Sequence, residues 1–452
     1  MSLYSYNSPM NIVIEKIVYP GKALGRGTDG IATFVDGALP GETVEVTITK
    51  KKKSFQEGTL HNIIKPSDKR IHPRCPSFGK CGGCSFQHTD YEHQLKIKES
   101  YVKELIAPFC KNILPIISSP EIWGYRNKME FSFFEREGTP AIGLHEKGSW
   151  NTYFDVPPCY LADPHILPLV TLLTTFAQHS GLPVYHPKSH QGFWRHVVFR
   201  TGKRTNEMLL NLVTASLPNI SETFFIPLLS KLPPHITSIV WSINNHVSDV
   251  VQAEHMIVLK GKDHIEEQMQ INNQWYRFII SPFSFFQTNT FGAEKLYETV
   301  YAFLQPVQQD ILLDLYCGTG TIGISLAKYV HQCIGIEQVS DAIQNAEKNK
   351  TLNHIENITF YNSTVEQWIQ HADIPAFTAL ILDPPRSGIS SKVITLIART
   401  HPPKIIYVSC NPATLARDLH ILQQAGYRAQ QAVAIDMFPQ TFHVETVVQL
   451  QR

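Results

Sequence analysis

From residue 281 to the C-terminus, short apolar strands alternate with glycine-bearing turns and helices, and this rhythm constrains the fold more than any other feature of the chain. Ile311-Leu312-Leu313-Asp314-Leu315 leads into a helix over 323–328, and Cys333-Ile334-Gly335-Ile336-Glu337 into one over 341–352. Ala379-Leu380-Ile381-Leu382-Asp383 and Ile405-Ile406-Tyr407-Val408-Ser409 follow. Continuously apolar strands need cover on both faces, and helical crossovers supply it. The expected fold class is α/β, with a doubly wound, mostly parallel sheet over 281–452. Ligands bind such sheets beyond the carboxyl ends of the strands, so the residues closing each strand are the first site candidates.

The preceding residues read differently. Residues 11–64 hold short alternating runs, such as Thr43-Val44-Glu45-Val46-Thr47-Ile48, between turns at Pro20-Gly21, Asp29-Gly30 and Pro40-Gly41. That spacing predicts a small β-barrel over residues 1–66. Residues 67–280 are β-rich with helices over 92–109 and 166–179, an α+β middle part. Hydrophobic residues at 43% and charged residues at 17% give a globular balance with ample core. No stretch approaches the roughly 20 apolar residues of a membrane span, and no basic-then-apolar leader opens the chain, so a cytoplasmic protein away from the membrane is expected. Basic residues outnumber acidic ones in 1–80, where Lys50-Lys51-Lys52-Lys53 offers a contact for a polyanion or a solvated loop. From 281 onward acidic residues are in excess.

Four strand ends in the last part carry chemistry. Gly318-Thr319-Gly320 makes a tight turn after an apolar strand, and Glu337 closes the next strand, where it can accept hydrogen bonds from ribose hydroxyls. The loop has neither a full Gly-x-Gly-x-x-Gly nor Gly-Lys-Thr, which favours S-adenosylmethionine (SAM) over dinucleotides and nucleoside triphosphates. In Asp383-Pro384-Pro385-Arg386 two prolines stiffen the backbone behind an acid able to accept from the N3–H of a uracil. Cys410, in Ser-Cys-Asn-Pro, ends the following strand, and Glu445 closes Phe-His-Val-Glu near the C-terminus. Carbon 5 of uracil is too electron-poor to attack a methyl sulfonium, whereas a thiolate added to carbon 6 makes carbon 5 nucleophilic. Cysteine suits that role because a few per cent is already thiolate near neutral pH and neighbours can raise the fraction. A carboxylate then removes the carbon-5 proton, a task assigned to Glu445, with His443 either a proton relay or structural.

The eight cysteines include Cys75-x5-Cys81-x2-Cys84, with Cys159 as the candidate fourth ligand. Spacing alone leaves zinc and an iron–sulfur cluster open. Trp194-Arg195-His196 and Phe283-Ser284-Phe285-Phe286 are either stacking surfaces for splayed RNA bases or core aromatics.

Ser-Phe-Phe-Gln-Thr-Asn (284–289), Asp-Leu-Tyr-Cys-Gly-Thr-Gly (314–320), Asp-Pro-Pro-Arg (383–386), Ser-Cys-Asn-Pro (409–412) and Asp-Met-Phe-Pro-Gln-Thr-Phe-His-Val-Glu (436–445) together resemble the signatures of the RNA (uracil-5-)-methyltransferases. Residues 11–64 resemble that family's TRAM domain, an OB-like RNA-binding barrel. The resemblance implies a C-terminal Rossmann-like SAM-dependent methyltransferase domain and a central domain carrying a [4Fe-4S] cluster on Cys75, Cys81, Cys84 and Cys159. It implies a SAM site lined by Gln287, Tyr316, Thr321, Glu337, Thr364 and Asp383, although Thr321 and Thr364 stand where the family often has Asn. Cys410 matches the nucleophile and Glu445 the base. Members with both barrel and cluster resemble the 23S ribosomal RNA enzymes most, with transfer RNA the alternative substrate and a non-catalytic RNA-binding or ribosome-assembly factor the reading from another class. A monomer is expected, since one chain holds every part.

Overall fold

A computed structural model describes residues 9–149, 151–156, 158–247, 251–371, 374 and 376–452. At the N-terminal end five strands, Met10–Val18, Lys22–Arg26, Ala32–Val35, Thr43–Lys51 and Phe55–Lys65, close into a barrel. Alternation does the work here. Ile12, Ile14, Val35, Val44 and Val46 point inward and are fully or almost fully buried, while Lys50, Lys51, Lys52 and Lys53 are exposed. Lys50 pairs with Glu57 at 3.0 Å.

A seven-stranded sheet follows, in the order His255–Lys260, Ile236–Ile243, Met208–Thr214, Trp194–Thr201, Lys128–Arg136, Thr139–His145, Tyr153–Asp155. The helix Ile166–Ser180 covers one face through Leu169, Val170 and Leu173. In this setting Trp194, Arg195 and His196 are all core residues, at most 4% exposed. Arg195 stacks on Tyr185 at 4.0 Å and donates to the carbonyls of Asn244 and His246. Of the two readings of this segment the core one holds: both faces of the strand Trp194–Thr201 are covered, so its polar positions are buried with its apolar ones.

The largest sheet has eight strands, ordered Ile358–Asn362, Gln332–Glu337, Ile311–Leu315, Ala379–Leu382, Lys404–Ser409, Glu445–Gln451, Arg428–Ile435, Ile113–Ile117. The first five run parallel, and Glu445–Gln451 is inserted antiparallel to both its neighbours. Separate apolar clusters cover its two faces, one around Leu296, Val300, Leu312 and Ile381, the other around Val102, Leu313, Leu396 and Leu419. Strand order reverses between Ile311–Leu315 and Ala379–Leu382, which opens a crevice at their carboxyl ends. The edge strand Ile113–Ile117 and the helix Tyr91–Ile106 come from the expected middle part yet pack on this last sheet, Ala432 pairing with Ile113. Among the described residues no helix is long and apolar enough to cross a membrane.

Candidate active site

The crevice gathers the strand-end residues singled out in the sequence. Beyond Ile311–Leu315 the chain passes through Tyr316, a non-glycine residue at φ 68°, then Gly318 at 54° and Gly320 at 78°. A Cβ on Gly320 would stand 2.6 Å from the Phe360 ring and 3.2 Å from Ala346, so glycine is required for space as well as conformation. Around Gly318 the space is open. Glu337 faces this turn, accepting from Gly318 N at 3.2 Å and from Val339 N at 2.9 Å. Thr321 opens the helix Thr321–Ala327, its hydroxyl 3.2 Å from that of Thr319. Thr364 accepts from Gln367 N at 3.1 Å, which commits its oxygen to capping the helix Val365–His371 and leaves its O–H free to donate. Gln287 is nearly buried, its carbonyl held by Asn127 Nδ2 at 2.8 Å.

One residue of this region escaped the sequence reading. Asp314 is buried with no well-formed hydrogen bond to either carboxylate oxygen, and burial, then Asp383 and Glu337, push its carboxyl far above the ordinary range against the Gly323 N–H. An orphaned buried carboxyl beside an open glycine turn suits a ligand bearing donors and positive charge, as the aminocarboxypropyl sulfonium of SAM does. The signal was present: an acid inside the apolar run Ile311–Leu315.

Cys410 and Glu445 meet across neighbouring strands. Ser409 pairs with Thr446, so the next residue outward on each side brings Cys410 opposite Glu445. Asp383 leaves the adjacent parallel strand at the same edge, one residue beyond the Leu382–Tyr407 pair. Burial, then the carboxyls of Glu445 and Asp383, raise the Cys410 thiol to about 11, with Arg386 opposing. This differs from the expectation that neighbours enlarge the thiolate fraction. In the free protein the surrounding acids shrink it. Burial lifts Asp383 to about 7 and Glu445 well above its usual value.

His443 is held near 4 by burial and by the charges of Arg386, Lys98 and Arg126. A ring so weakly basic is a poor acceptor for a carbon-bound proton, whereas burial makes Glu445 a stronger base than an ordinary carboxylate.

The loop before Glu445 is clamped from three sides. Lys98 and Asp436, both fully buried, pair at 2.6 Å, and Lys98 also donates to the Phe438 carbonyl at 3.0 Å. Gln94, one turn earlier on the helix Tyr91–Ile106, exchanges two hydrogen bonds with Gln440, at 2.9 and 3.0 Å. The Gln440 carbonyl accepts from Ser85 N and Phe86 N, and Tyr125 donates to the Pro439 carbonyl. Phe442 packs on Phe86, Tyr101 and Tyr19, the last from the barrel.

The segment that grips Gln440 also carries the cysteine motif. Cys75, Cys81, Cys84 and Cys159 line one cavity of about 280 Å³ together with Arg126. Gly83 N donates to Cys81 Sγ at 3.3 Å and Gln87 Nε2 to Cys84 Sγ at 3.2 Å. Burial raises both thiols, Cys84 to about 12. Arg126 Nε is buried without a hydrogen-bond partner. Among the described residues no three His, Cys, Asp or Glu side chains group closely enough to hold a single metal ion. Four soft donors, N–H groups aimed at sulfur and a buried arginine whose Nε has no partner fit an anionic thiolate-bound group.

Comparison with known proteins agrees with this geometry. The family described as tRNA (Uracil-5-)-methyltransferase matches residues 238–452, and the TRAM domain matches residues 7–60. The chain is 37% identical to an uncharacterized RNA methyltransferase of Caldanaerobacter subterraneus subsp. tengcongensis, over 98% of each chain. It is 35% identical to one of Thermosynechococcus vestitus, over 100% of this chain and 99% of that one. Among solved structures it is similar to the Pyrococcus abyssi tRNA (uracil-54, C5)-methyltransferase in complex with S-adenosyl-L-homocysteine. The TM-score is 0.78 at 29% identity, covering 98% of this chain and 100% of that one.

Proposed function

This chain belongs to the RNA (uracil-5-)-methyltransferase family and is a SAM-dependent RNA methyltransferase, and from that premise we propose that it methylates carbon 5 of a uridine through a covalent bond from Cys410. The observation that carries the proposal is the meeting of Cys410, Glu445 and Asp383 at one sheet edge, across from the glycine turn.

Asp383 accepts from the uracil N3–H and holds the ring edge-on to the crevice. Cys410 Sγ adds to carbon 6, and the electrons of the C5–C6 double bond move to carbon 5 and the carbonyl. Carbon 5 takes up the methyl group, which SAM, held by Gln287, Tyr316, Thr321, Glu337, Thr364 and Asp383, supplies as an electrophile. Glu445 then removes the carbon-5 proton, the double bond re-forms, and the C6–S bond breaks to release Cys410. With Cys410 at about 11 and Glu445 raised by burial in the free protein, both must give up their protons to solvent as the nucleobase docks, and Arg386 is the cation that favours the thiolate and the carboxylate.

The barrel serves RNA binding through its exposed lysines; the helix Tyr91–Ile106 and the strand Ile113–Ile117 join 281–452 in the Rossmann-like methyltransferase domain, and the rest of 67–280 forms the cysteine-bearing domain. Cys75, Cys81, Cys84 and Cys159 hold a [4Fe-4S] cluster, with zinc the competing occupant. Its role is structural or in RNA binding, since methyl transfer needs no electron.

The substrate we favour is 23S ribosomal RNA, on the combination of barrel and cysteine set. Transfer RNA is the second reading, because the full-length structural relative acts on tRNA. Methyl transfer from labelled SAM to a mixture of unmodified ribosomal and transfer RNA, followed by separation and digestion to nucleosides, decides between them. Label in 5-methyluridine of the large ribosomal RNA is expected. Label only in transfer RNA moves the substrate, and no label in either RNA refutes the enzymatic reading in favour of a binding factor.

A further inference from the structure

With Trp194–His196 and Phe286 in the core, Phe285 at 66% exposure is what remains exposed of the stacking surfaces expected from sequence, and a second cavity offers another place for bases flanking the target. Arg74, Trp123 and Tyr160 stand at a cavity of about 380 Å³ whose apolar floor includes Phe131, Val156 and Ile166. The Arg74 guanidinium lies over the Tyr160 ring at 4.2 Å and over Trp123 at 5.3 Å, and the two rings meet edge-on at 6.2 Å. Arg74 is exposed and forms no salt bridge among the described residues. An exposed guanidinium over two aromatic rings, in no salt bridge although Asp163 lines the same cavity, is a cationic surface with a planar head group. Unstacked RNA bases are received on such surfaces, with the phosphates nearby answering the charge.

The cavity is also connected to the catalytic edge by a short stretch of backbone. Gly124 N donates to the Tyr160 carbonyl at 2.7 Å, Tyr125 donates to Pro439 ahead of Glu445, and Asn127 holds the Gln287 carbonyl. Cys159 and Tyr160 line both this cavity and the one ringed by the cysteines.

Resting on the reading that this chain acts on RNA, we infer that the Arg74–Trp123–Tyr160 cavity takes one unstacked nucleobase of the substrate other than the uracil that reacts at Cys410. A uridine drawn out of its stack leaves its neighbours unsupported, and seating one of them here offsets part of that cost while fixing the register of the strand.

The test measures binding of unmodified ribosomal and transfer RNA transcripts to wild type, Trp123→Ala, Trp123→Phe, Arg74→Ala and Arg74→Lys, with SAM binding followed in parallel as a check of the fold. Trp123→Ala and Arg74→Ala are expected to weaken binding of the preferred RNA by roughly five- to a hundredfold, the range that base–aromatic stacking supplies. Trp123→Phe keeps a ring and should retain most of the affinity. Arg74→Lys keeps the charge but not the plane and should behave like the alanine variant. Wild-type affinity in Trp123→Ala, or in Arg74→Lys, overturns the pocket. A wild-type protein that binds RNA without methylating it defeats the proposed reaction, while the affinities of the four variants still decide the pocket.

Discussion

Replacing Lys98 by Met tests how the catalytic loop is held. Both members of the Lys98–Asp436 pair are fully buried, and Lys98 supplies an ion pair at 2.6 Å and a hydrogen bond to Phe438 at 3.0 Å. Without it the Asp436 carboxylate keeps the Phe438 N–H at 3.1 Å and the neighbouring Tyr91 hydroxyl, but loses its paired cation. Breaking one side of a buried pair costs about 3–5 kcal/mol, because the remaining charge stays desolvated. A chain of several structural layers does not unfold in one step, so the readout should be local. Amide hydrogen exchange at Phe438 and Gln440 should accelerate by about two to nearly four orders of magnitude, the same energy expressed as an opening equilibrium. Turnover should fall with it, since Glu445 follows this loop. The double variant Lys98→Met/Asp436→Leu removes both charges and should recover at least half of the lost protection. Unchanged exchange in the single variant, or a double variant more labile than the single one, refutes the clamp.

Other outcomes follow from the same geometry. Gly320→Ala places a Cβ 2.6 Å from Phe360 at φ 78°, and overpacking together with left-handed strain amounts to about 2–5 kcal/mol, so titration calorimetry should show SAM affinity reduced by more than about tenfold. Asp383, raised to about 7 by burial, withdraws stability as pH climbs from the ordinary carboxylate range through about 7. Asp383→Asn should therefore be more stable than wild type near pH 8 by about 1–4 kcal/mol, read by thermal melting, with the gain vanishing below about pH 4, and should lose activity throughout. Glu445→Gln should slow turnover by about 10²–10⁴-fold and let a protein–RNA adduct build up on denaturing gels. Protein isolated without oxygen should contain iron and acid-labile sulfide in equal amounts, and stoichiometric zinc alone would contradict the cluster.

What the sequence made legible was local. The strand–turn–helix rhythm, the glycine turn with Glu337, and the strand-end positions of Asp383 and Cys410 all depend on neighbours within one crossover. The clamp was not legible because its partners lie 338 and 346 positions apart, and nothing within the helix Tyr91–Ile106 marks Gln94 and Lys98 as buried. The edge strand Ile113–Ile117 escaped for the same reason, pairing with residues more than three hundred positions onward. Exposure of aromatics was equally hidden: Trp194 and Trp123 are alike in sequence, but only the first lies in a strand covered on both faces. The Cys410 environment is a subtler case. Its residue types were visible, whereas the opposing effects of Glu445, Asp383 and Arg386 on the thiol arise only from their meeting at one edge.

The covalent role of Cys410 is tested most directly with RNA in which uridine is replaced by 5-fluorouridine. After methyl transfer such a base has no carbon-5 proton for Glu445 to remove, so the C6–S bond cannot be released. A SAM-dependent protein–RNA adduct that survives denaturation, maps to Cys410 by peptide mass and is absent in Cys410→Ala is the expected result. An adduct on another residue, or Cys410→Ala protein that still methylates ordinary RNA, would contradict it.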